Sequence, residues 1–260
     1  MNIKEFIPLL KCIKESQIDL SSWDVLTFRN NLNKIMATPY SSNKWEVEIF
    51  KIHQFVFLGV ISLDSNSNPK FVYWGYKFEQ YCTATSKEEL NEVVNPNNQT
   101  FIVGRTKIGQ NRILFGAEMD SLEPNSSGYN FIEIKTNRII DNAGSSRSFQ
   151  RHKLLSIWIQ SYLAGVDKVF IGYRDDNGIV RNVNFIKTTD IPAMVNQIWD
   201  PSVCITFTNA VINMIKDNTQ HNKQYTLSYD GFKIRLKESQ REPFVPPEFL
   251  QHLEGILNNK

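Results

Sequence analysis

Glu118 and Asp120 stand two residues apart in GAEMD, and Glu133 and Lys135 two apart in FIEIKT. On a β-strand, residues i and i+2 face the same way, roughly 6.6 Å apart. Each pair therefore shares a face, with Met119 opposite the first and Ile132 and Ile134 opposite the second. The residues between them include Pro124, Asn125 and Gly128, good material for a connection between antiparallel neighbours. If the strands pair, three carboxylates and one ammonium meet on one patch. Acids buried on a sheet are costly unless something cationic sits between them. Such a patch offers hard oxygen ligands to one or two Mg²⁺ or Mn²⁺ ions and a lysine to a reacting phosphate, which is what a divalent-metal nuclease needs. A surface ladder of salt-bridged acids and lysines is the competing reading of the same spacing.

Two further segments bear on the choice. In YWGYKFEQY, read as a strand, Trp74, Tyr76 and Phe78 point to one side and leave Lys77 and Glu79 on the other, a fourth acid. A helix of about 17 residues is expected from Phe149, with Gly165 as its C-cap. Lys153 and Gln160, seven apart, project within about 20° of each other on it. Leu155, Ile159 and Tyr162 lie on the opposite side, and Gln160 is placed to hold a scissile phosphate or a water. Other chemistries lack their marks. There is no G-x-x-x-x-G-K-[ST], G-x-G-x-x-G or G-x-S-x-G. The histidines His53, His152, His221 and His252 form no H-x-x-x-H pair, which argues against a zinc hydrolase.

The elements that must position these residues are those of one mixed α/β domain spanning residues 1–260. An amphipathic helix is expected at Phe6, Leu9, Leu10 and Ile13, and a strand-to-helix junction in SSWDVLTFRNNLNKIMATPY, stopped by Pro39. KWEVEIFKIHQFVFLGVISLD reads as a strand closed by the DSNSNP turn, and KFVYWGYKFEQYCTA as the next strand. SKEEL starts a helix, and TFIVGRTKIG and NRILFGAEMD are strands. DNAGSSRS reads as a turn cluster, DKVFIGYRDD and IVRNVNFIKT as a hairpin through DDNG, and Pro201 to Lys216 as a helix. Asp230-Gly231 turns a late hairpin, and the tail REPFVPPEFLQHLEGIL caps the fold.

Composition is compatible with a substantial core: 41% of the 260 residues are apolar, and 17 Phe, nine Tyr and five Trp exceed what a surface could carry. A formal charge of +2 neither demands nor excludes a nucleic-acid partner. Cys12, Cys82 and Cys204 match no metal spacing and no disulfide framework, as in a reducing intracellular compartment. MNIKEFIPLLKCIKE is too interrupted by charge for a signal peptide, and no run approaches the ~18 apolar residues of a membrane span. The sequons at Asn98 and Asn125 then mark turns.

Six blocks in order, FRNNLNKIMATPY, YWGYKFEQYC, GAEMD, FIEIKT, HKLLSIWIQSYLAGV and IGYRDDNGIV, resemble the DXO family of RNA 5′-end decapping enzymes. The resemblance implies two twisted, mostly antiparallel or mixed β-sheets packed together with flanking helices. It implies metal ligation by Glu79, Glu118, Asp120, Glu133 and the main-chain oxygen of Ile134, with two Mg²⁺ or Mn²⁺ ions. Lys135 is then the contact to the scissile phosphate and attacking water, Gln160 a phosphate contact, and Arg29 the grip on the RNA 5′ end. The implied reaction removes unmethylated guanosine or NAD caps, or pyrophosphate from triphosphate RNA, leaving a 5′ monophosphate. Degradation onward in the 5′→3′ direction accompanies it in some members. The implied setting is a monomer inside the cell, nuclear rather than cytoplasmic, and in some members bound to a 5′→3′ exoribonuclease. Two departures stand out: little precedes Arg29, and Asn30 follows it where the family has glycine. Two other readings compete. A binding module that activates an exoribonuclease and has lost its chemistry is opposed by the intact acids and Lys135. A DNA endonuclease with a (D/E)-x-K motif is opposed by the arginine block and the HKLLSIWIQSYLAGV helix.

Overall fold

The computed structural model describes residues 6–60, 68–97, 99–126, 128–195 and 197–258. Most of the DSNSNP turn and the sequon at Asn98 lie outside them. In chain order, helix α1 (Ile7–Glu15) precedes strand β1 (Val25–Phe28), which runs straight into helix α2 (Arg29–Ala37). Strands β2 (Trp45–Ile52) and β3 (Phe55–Val60) come before helices α3 (Pro69–Thr83) and α4 (Lys87–Asn91). Strands β4 (Thr100–Ile108), β5 (Asn111–Met119), β6 (Ser121–Asn125) and β7 (Gly128–Arg138) follow. Helix α5 (Ala143–Ser148) continues through a π-helical segment at Phe149–Leu154 into α6 (Leu155–Ala164). Next come β8 (Lys168–Arg174), β9 (Val180–Lys187), α7 (Ile191–Met194) and α8 (Pro201–Asn218). The hairpin β10 (Lys223–Tyr229) and β11 (Ile234–Glu238) leads to α9 (Pro247–Asn258). The chain divides into two compact units, one of residues 1–63, 103–117 and 201–260, the other of residues 64–102 and 118–200.

The first unit is built on a seven-stranded mixed sheet in the order β11-β10-β2-β3-β1-β5-β4. Strand β1 runs parallel to both of its neighbours, β3 and β5. One core cluster joins Leu9, Leu10 and Ile13 of α1 and Phe249 and Leu253 of α9 to Leu26, Phe55, Phe57 and Leu114 of the sheet. Phe6 fills its centre, edge-on to Phe28 at 5.4 Å and to Phe244 at 5.5 Å, the arrangement that aromatic quadrupoles favour. Helix α2 packs on α8. Its start is pinned by buried Asn31, which donates to the Leu58 carbonyl at 3.1 Å and to the Thr27 hydroxyl at 3.2 Å. Lys51 donates to the carbonyls of Lys216 (2.6 Å) and Thr219 (2.9 Å), satisfying carbonyls at the C-terminal end of α8. The segment expected as one strand from Lys44 is the β2–β3 hairpin, folded at His53. His53 takes a left-handed backbone (φ 50°) that its residue type does not advertise.

The second unit holds a four-stranded sheet, β6-β7-β8-β9, in which only the β7–β8 pair is parallel. Ile132 and Ile134 of β7 pack with Phe78 of α3 and with Phe170 and Val180. Helix α3 corrects the strand expected for YWGYKFEQYC. Its aromatic alternation imitates period 2 over a few residues, but Phe71, Trp74 and Phe78 fall at i, i+3 and i+7, one helical face. Phe71 and Trp74 flank the Arg174 guanidinium at 4.7 and 4.4 Å, while Phe78 stacks on Phe170. Asn68 caps the start by accepting the Lys70 N–H at 3.0 Å, with Pro69 in the first helical position. DNAGSSRS is likewise no turn but α5, begun by a capping box between Asn142 and Ser145. In the π-helical segment that follows, the Gln150 carbonyl accepts the Trp199 indole N–H at 2.9 Å. Gly165 closes α6 with φ 67°, as its placement predicts. Among the described residues no helix is long and apolar enough to cross a membrane.

Gly172 of β8 lies under the Phe78 ring, where an added Cβ would sit 2.5 Å from Cζ. Gly172→Ala should therefore displace Phe78 from its stack and destabilise the protein by about 1–3 kcal/mol. The urea midpoint measures it; an unchanged midpoint would mean that the α3–β8 approach is not tight.

Candidate active site

The site arises where the β6–β7 ladder stops. Ser121 pairs with Ile132 as the last rung, and the chain peels away at Asp120. The next free donor on that edge of β7, the Ile134 N–H, is taken by the Asp120 carboxylate at 2.8 Å. A side chain thus replaces the missing strand. Within a strand the N–H and C=O of one residue point to the same edge. The Ile134 carbonyl is therefore directed to this open edge, the position expected for a main-chain ligand.

Around this edge a cavity of about 280 Å³ is lined by Glu79 of α3, Glu118 at the end of β5, Asp120, Lys135, Lys153 and Gln160. All belong to the second unit. Because Ile132 and Ile134 face α3, Glu133 and Lys135 project to the opposite face of β7. There the Lys135 ammonium lies between Asp120, at 3.0 Å, and Glu133. Gln160 of α6 donates to Glu133. Glu133 is fully buried and the Asp120 side chain 6% exposed, so both acids depend on partners within the protein.

The titration behaviour reports the same crowding. Burial first, and then repulsion from Asp120, Glu118 and Glu133, push Glu79 up to about 7 against the pull of Lys135. Burial pulls Lys135 down, but Glu133 and Asp120 outweigh it and hold the ammonium above the ordinary lysine value. Burial also raises Tyr76, as do Glu118 and Glu79, whereas burial and the neighbouring Lys135 and Arg174 lower Lys153.

Four carboxylates and a main-chain oxygen are the donor set of a hard divalent cation. Their mutual repulsion would be relieved by added positive charge. Among the described residues no three His, Cys, Asp or Glu side chains are already assembled as a cage; the Lys135 ammonium engages Asp120 and Glu133 instead. The residues therefore fit a metal, which would take over contacts that Lys135 now makes.

The structure thus brings Glu79, Glu118, Asp120, Glu133, Ile134, Lys135 and Gln160 into one unit and one site. Glu79 reaches it from a helix rather than from the expected strand. Arg29 is in the first unit, 6% exposed in the opening turn of α2. The strand reading missed Val72, Gly75 and Tyr76, which line the cavity with Glu79. The signal for them was Asn68-Pro69, a helix start that turns Val72, Tyr76 and Glu79 into neighbours at i, i+4 and i+7.

Two mixed sheets with helices, and an acid cluster beside a lysine on an open strand edge, define a domain of the metal-dependent nuclease class. Within that class the chain belongs to the RAI1-like PD-(D/E)XK nuclease family, whose model matches residues 2–250. It is 31% identical over 228 residues to decapping nuclease RAI1 of Aspergillus fumigatus, covering 74% of this chain and 62% of the relative. It is 30% identical over 209 residues to the human decapping and exoribonuclease protein, covering 73% and 53% respectively. The chain thus spans little more than half of the length of such relatives. Among solved structures, Scheffersomyces stipitis Rai1 superposes with a TM-score of 0.81 at 22% identity, over 98% of this chain and 81% of that one. S. pombe Rai1 in complex with 3′-FADP gives 0.77 at 25% identity, over 90% and 77%. Candida albicans Rai1 in complex with pU5-Mn²⁺ gives 0.79 at 24%, over 96% and 80%.

A Glu79 value raised from 4.5 to about 7 has a thermodynamic consequence. Between those values the folded protein retains a proton that the unfolded chain has lost, so stability falls as pH rises through the window. Metal-free protein should therefore melt at lower temperature near pH 7.5 than near pH 4.5, with Mn²⁺ restoring the loss at the higher pH. Glu79→Gln should flatten the pH dependence; a variant that keeps the wild-type slope would place its origin elsewhere.

Proposed function

We propose that this protein is a divalent-metal-dependent hydrolase acting on RNA 5′ ends, removing incomplete guanosine or NAD caps, or pyrophosphate from 5′-triphosphate RNA, to leave 5′-monophosphate RNA. The observation that carries the reading is the gathering of Glu79, Glu118, Asp120 and Glu133 around Lys135 at the open edge of β7. Its family relatives are named as decapping nucleases, and the solved Rai1 structures with 3′-FADP and with pU5-Mn²⁺ support a substrate of this chemistry.

In this reading Glu79, Glu118, Asp120, Glu133 and the Ile134 carbonyl hold two Mg²⁺ or Mn²⁺ ions. Bound there, the metal supplies a nucleophilic water at neutral pH and neutralises charge developing on the phosphate. Lys135 places its ammonium against the phosphate oxygens that gain charge in the transition state. Gln160, steadied by Glu133, orients the scissile phosphate or the water from α6. Arg29 binds the RNA 5′ end by a charge-assisted contact. Stepwise 5′→3′ hydrolysis needs no further residue, since each cycle presents the same chemistry with a new 5′ end.

A second reading, docking to a 5′→3′ exoribonuclease, is favoured by Val183 and Phe185, which are 48% and 54% exposed on the edge strand β9. Co-purification with such an enzyme, abolished by Phe185→Asp, is its test.

The hydrolase is tested with 5′-end-labelled triphosphate and NAD-capped RNAs in Mg²⁺ or Mn²⁺. Release of pyrophosphate or intact NAD is expected, and Glu118→Gln should lower kcat by at least about 100-fold with an unchanged circular dichroism spectrum. Lys135→Ala should depress kcat by about 10²–10³ with a far smaller effect on KM, as for a group acting in the transition state. Full turnover by Glu118→Gln would remove this acid from the site.

A further inference from the structure

A second cavity, of about 360 Å³, meets the acidic one at Lys153, which lines both. Strand β7 carries the chain from one to the other: Ile134, Lys135 and Thr136 line the first, Asn137 and Arg138 the second. The end of α5, the π-helical segment and α6 do the same on the facing side, with Gln160 at the first and Ser148, His152 and Ser156 at the second. The two linings differ in charge. Glu79, Glu118 and Asp120 line the acidic cavity, whereas no aspartate or glutamate lines the second.

The two cations of the second cavity are differently engaged. Arg138 is held by Asp176 at 2.7 Å and by Asp141 at 3.5 Å. Lys153 is half-buried between the two spaces, and among the described residues no hydrogen bond or ion pair is made by its ammonium. Glu133 attracts it only through space, and a partly buried ammonium with no direct partner is poorly compensated unless a ligand supplies one. A cavity with a cation, hydroxyls and an amide, free of carboxylates and continuous with a phosphodiester-cleaving site, is complementary to a second phosphate of the same strand.

We propose that this cavity binds the phosphate group adjoining the scissile one in single-stranded RNA, with Lys153 as its counter-charge and positioning residue. The inference rests on the hydrolase reading above. The neighbouring phosphate is either the next one 3′, in the RNA body, or the one 5′, on the cap side; the chemistry at Lys153 is the same.

The test uses wild type, Lys153→Met and Lys153→Arg with three 3′-labelled oligonucleotides: 5′-phosphorylated U2, 5′-phosphorylated U5 and U5 with a 5′ hydroxyl. Affinity is read by fluorescence anisotropy in Ca²⁺ across a salt series. Wild type should bind phosphorylated U5 more tightly than phosphorylated U2 if the site takes the 3′ phosphate, or than hydroxyl U5 if it takes the 5′ one. Lys153→Met should erase that increment, about tenfold for a charge-assisted contact, and reduce the salt slope by about 0.7. Lys153→Arg should retain the increment. On NAD-capped RNA with Mn²⁺, Lys153→Met should raise KM about tenfold and leave kcat within about twofold. Wild-type affinity of Lys153→Met for all three oligonucleotides, or an equal loss on all three, overturns the subsite while leaving the hydrolase intact. A fall in kcat at unchanged KM also overturns it, by moving Lys153 to the scissile phosphate. Wild type that neither binds nor cleaves RNA brings down both readings.

Discussion

The site depends on one ammonium. Asp120 and Glu133 are brought together by the backbone, the first because it caps the Ile134 N–H where β6 ends, the second because it is a fixed rung of β7 against β8. Neither can turn to water: one is 6% exposed and the other fully buried. Two buried carboxylates repel each other and are costly without a cation. Lys135, two residues beyond Glu133 and so on the same face, is the cation that pairs with both. The (D/E)-x-K spacing thus answers a structural need, the pairing of two buried acids with one cation, before any chemistry is asked of it.

The rest of the second unit makes that arrangement rigid. Phe78 stacked on Phe170, with Gly172 cleared beneath it, clamps α3 to the sheet and fixes the height at which Glu79 enters. The guanidinium of Arg174, against both the Phe71 and the Trp74 ring, holds the first turns of the same helix. On the other face, the π-helical segment is stabilised where the Trp199 indole takes the Gln150 carbonyl. Lys153 of that segment and Gln160 of α6 both line the site. A cluster of four acids opposes folding, and aromatic packing on both faces of one sheet supplies the compensating stability.

Legibility in the sequence followed the range of the interactions involved. Glu133 and Lys135 were readable because period 2 on a strand is local, but the strand pairing expected for Glu118 and Asp120 is corrected: Glu118 ends β5 in the seven-stranded sheet, Asp120 falls between strands, and the hairpin partner of β7 is β6. Gln160 and Gly165 were readable because a long apolar helix with a terminal glycine is also local. Glu79 was identified as an acid of the site but placed on the wrong element. YWGYKFEQY satisfies both periods over nine residues, and the arbiter, Asn68-Pro69, lies outside the motif. DNAGSSRS failed for a related reason: small polar residues favour turns, but Asn142 and Ser145 sat at capping-box spacing. The fold at His53 had no local signal; tertiary context imposes a left-handed histidine where Asn-Gly would ordinarily mark the turn.

Arg29 shows where such reading stops. An arginine before a polar run is ordinarily a surface residue, yet here it is 6% exposed. Two residues on, the Asn31 amide donates to the Leu58 carbonyl across 27 residues and ties the first turn of α2 to β3. Asn30 suits that turn, because an α-helical backbone imposes no need for a glycine there. Burial of an arginine at the N-terminal turn of a helix is electrostatically adverse, since the helix dipole places partial positive charge there.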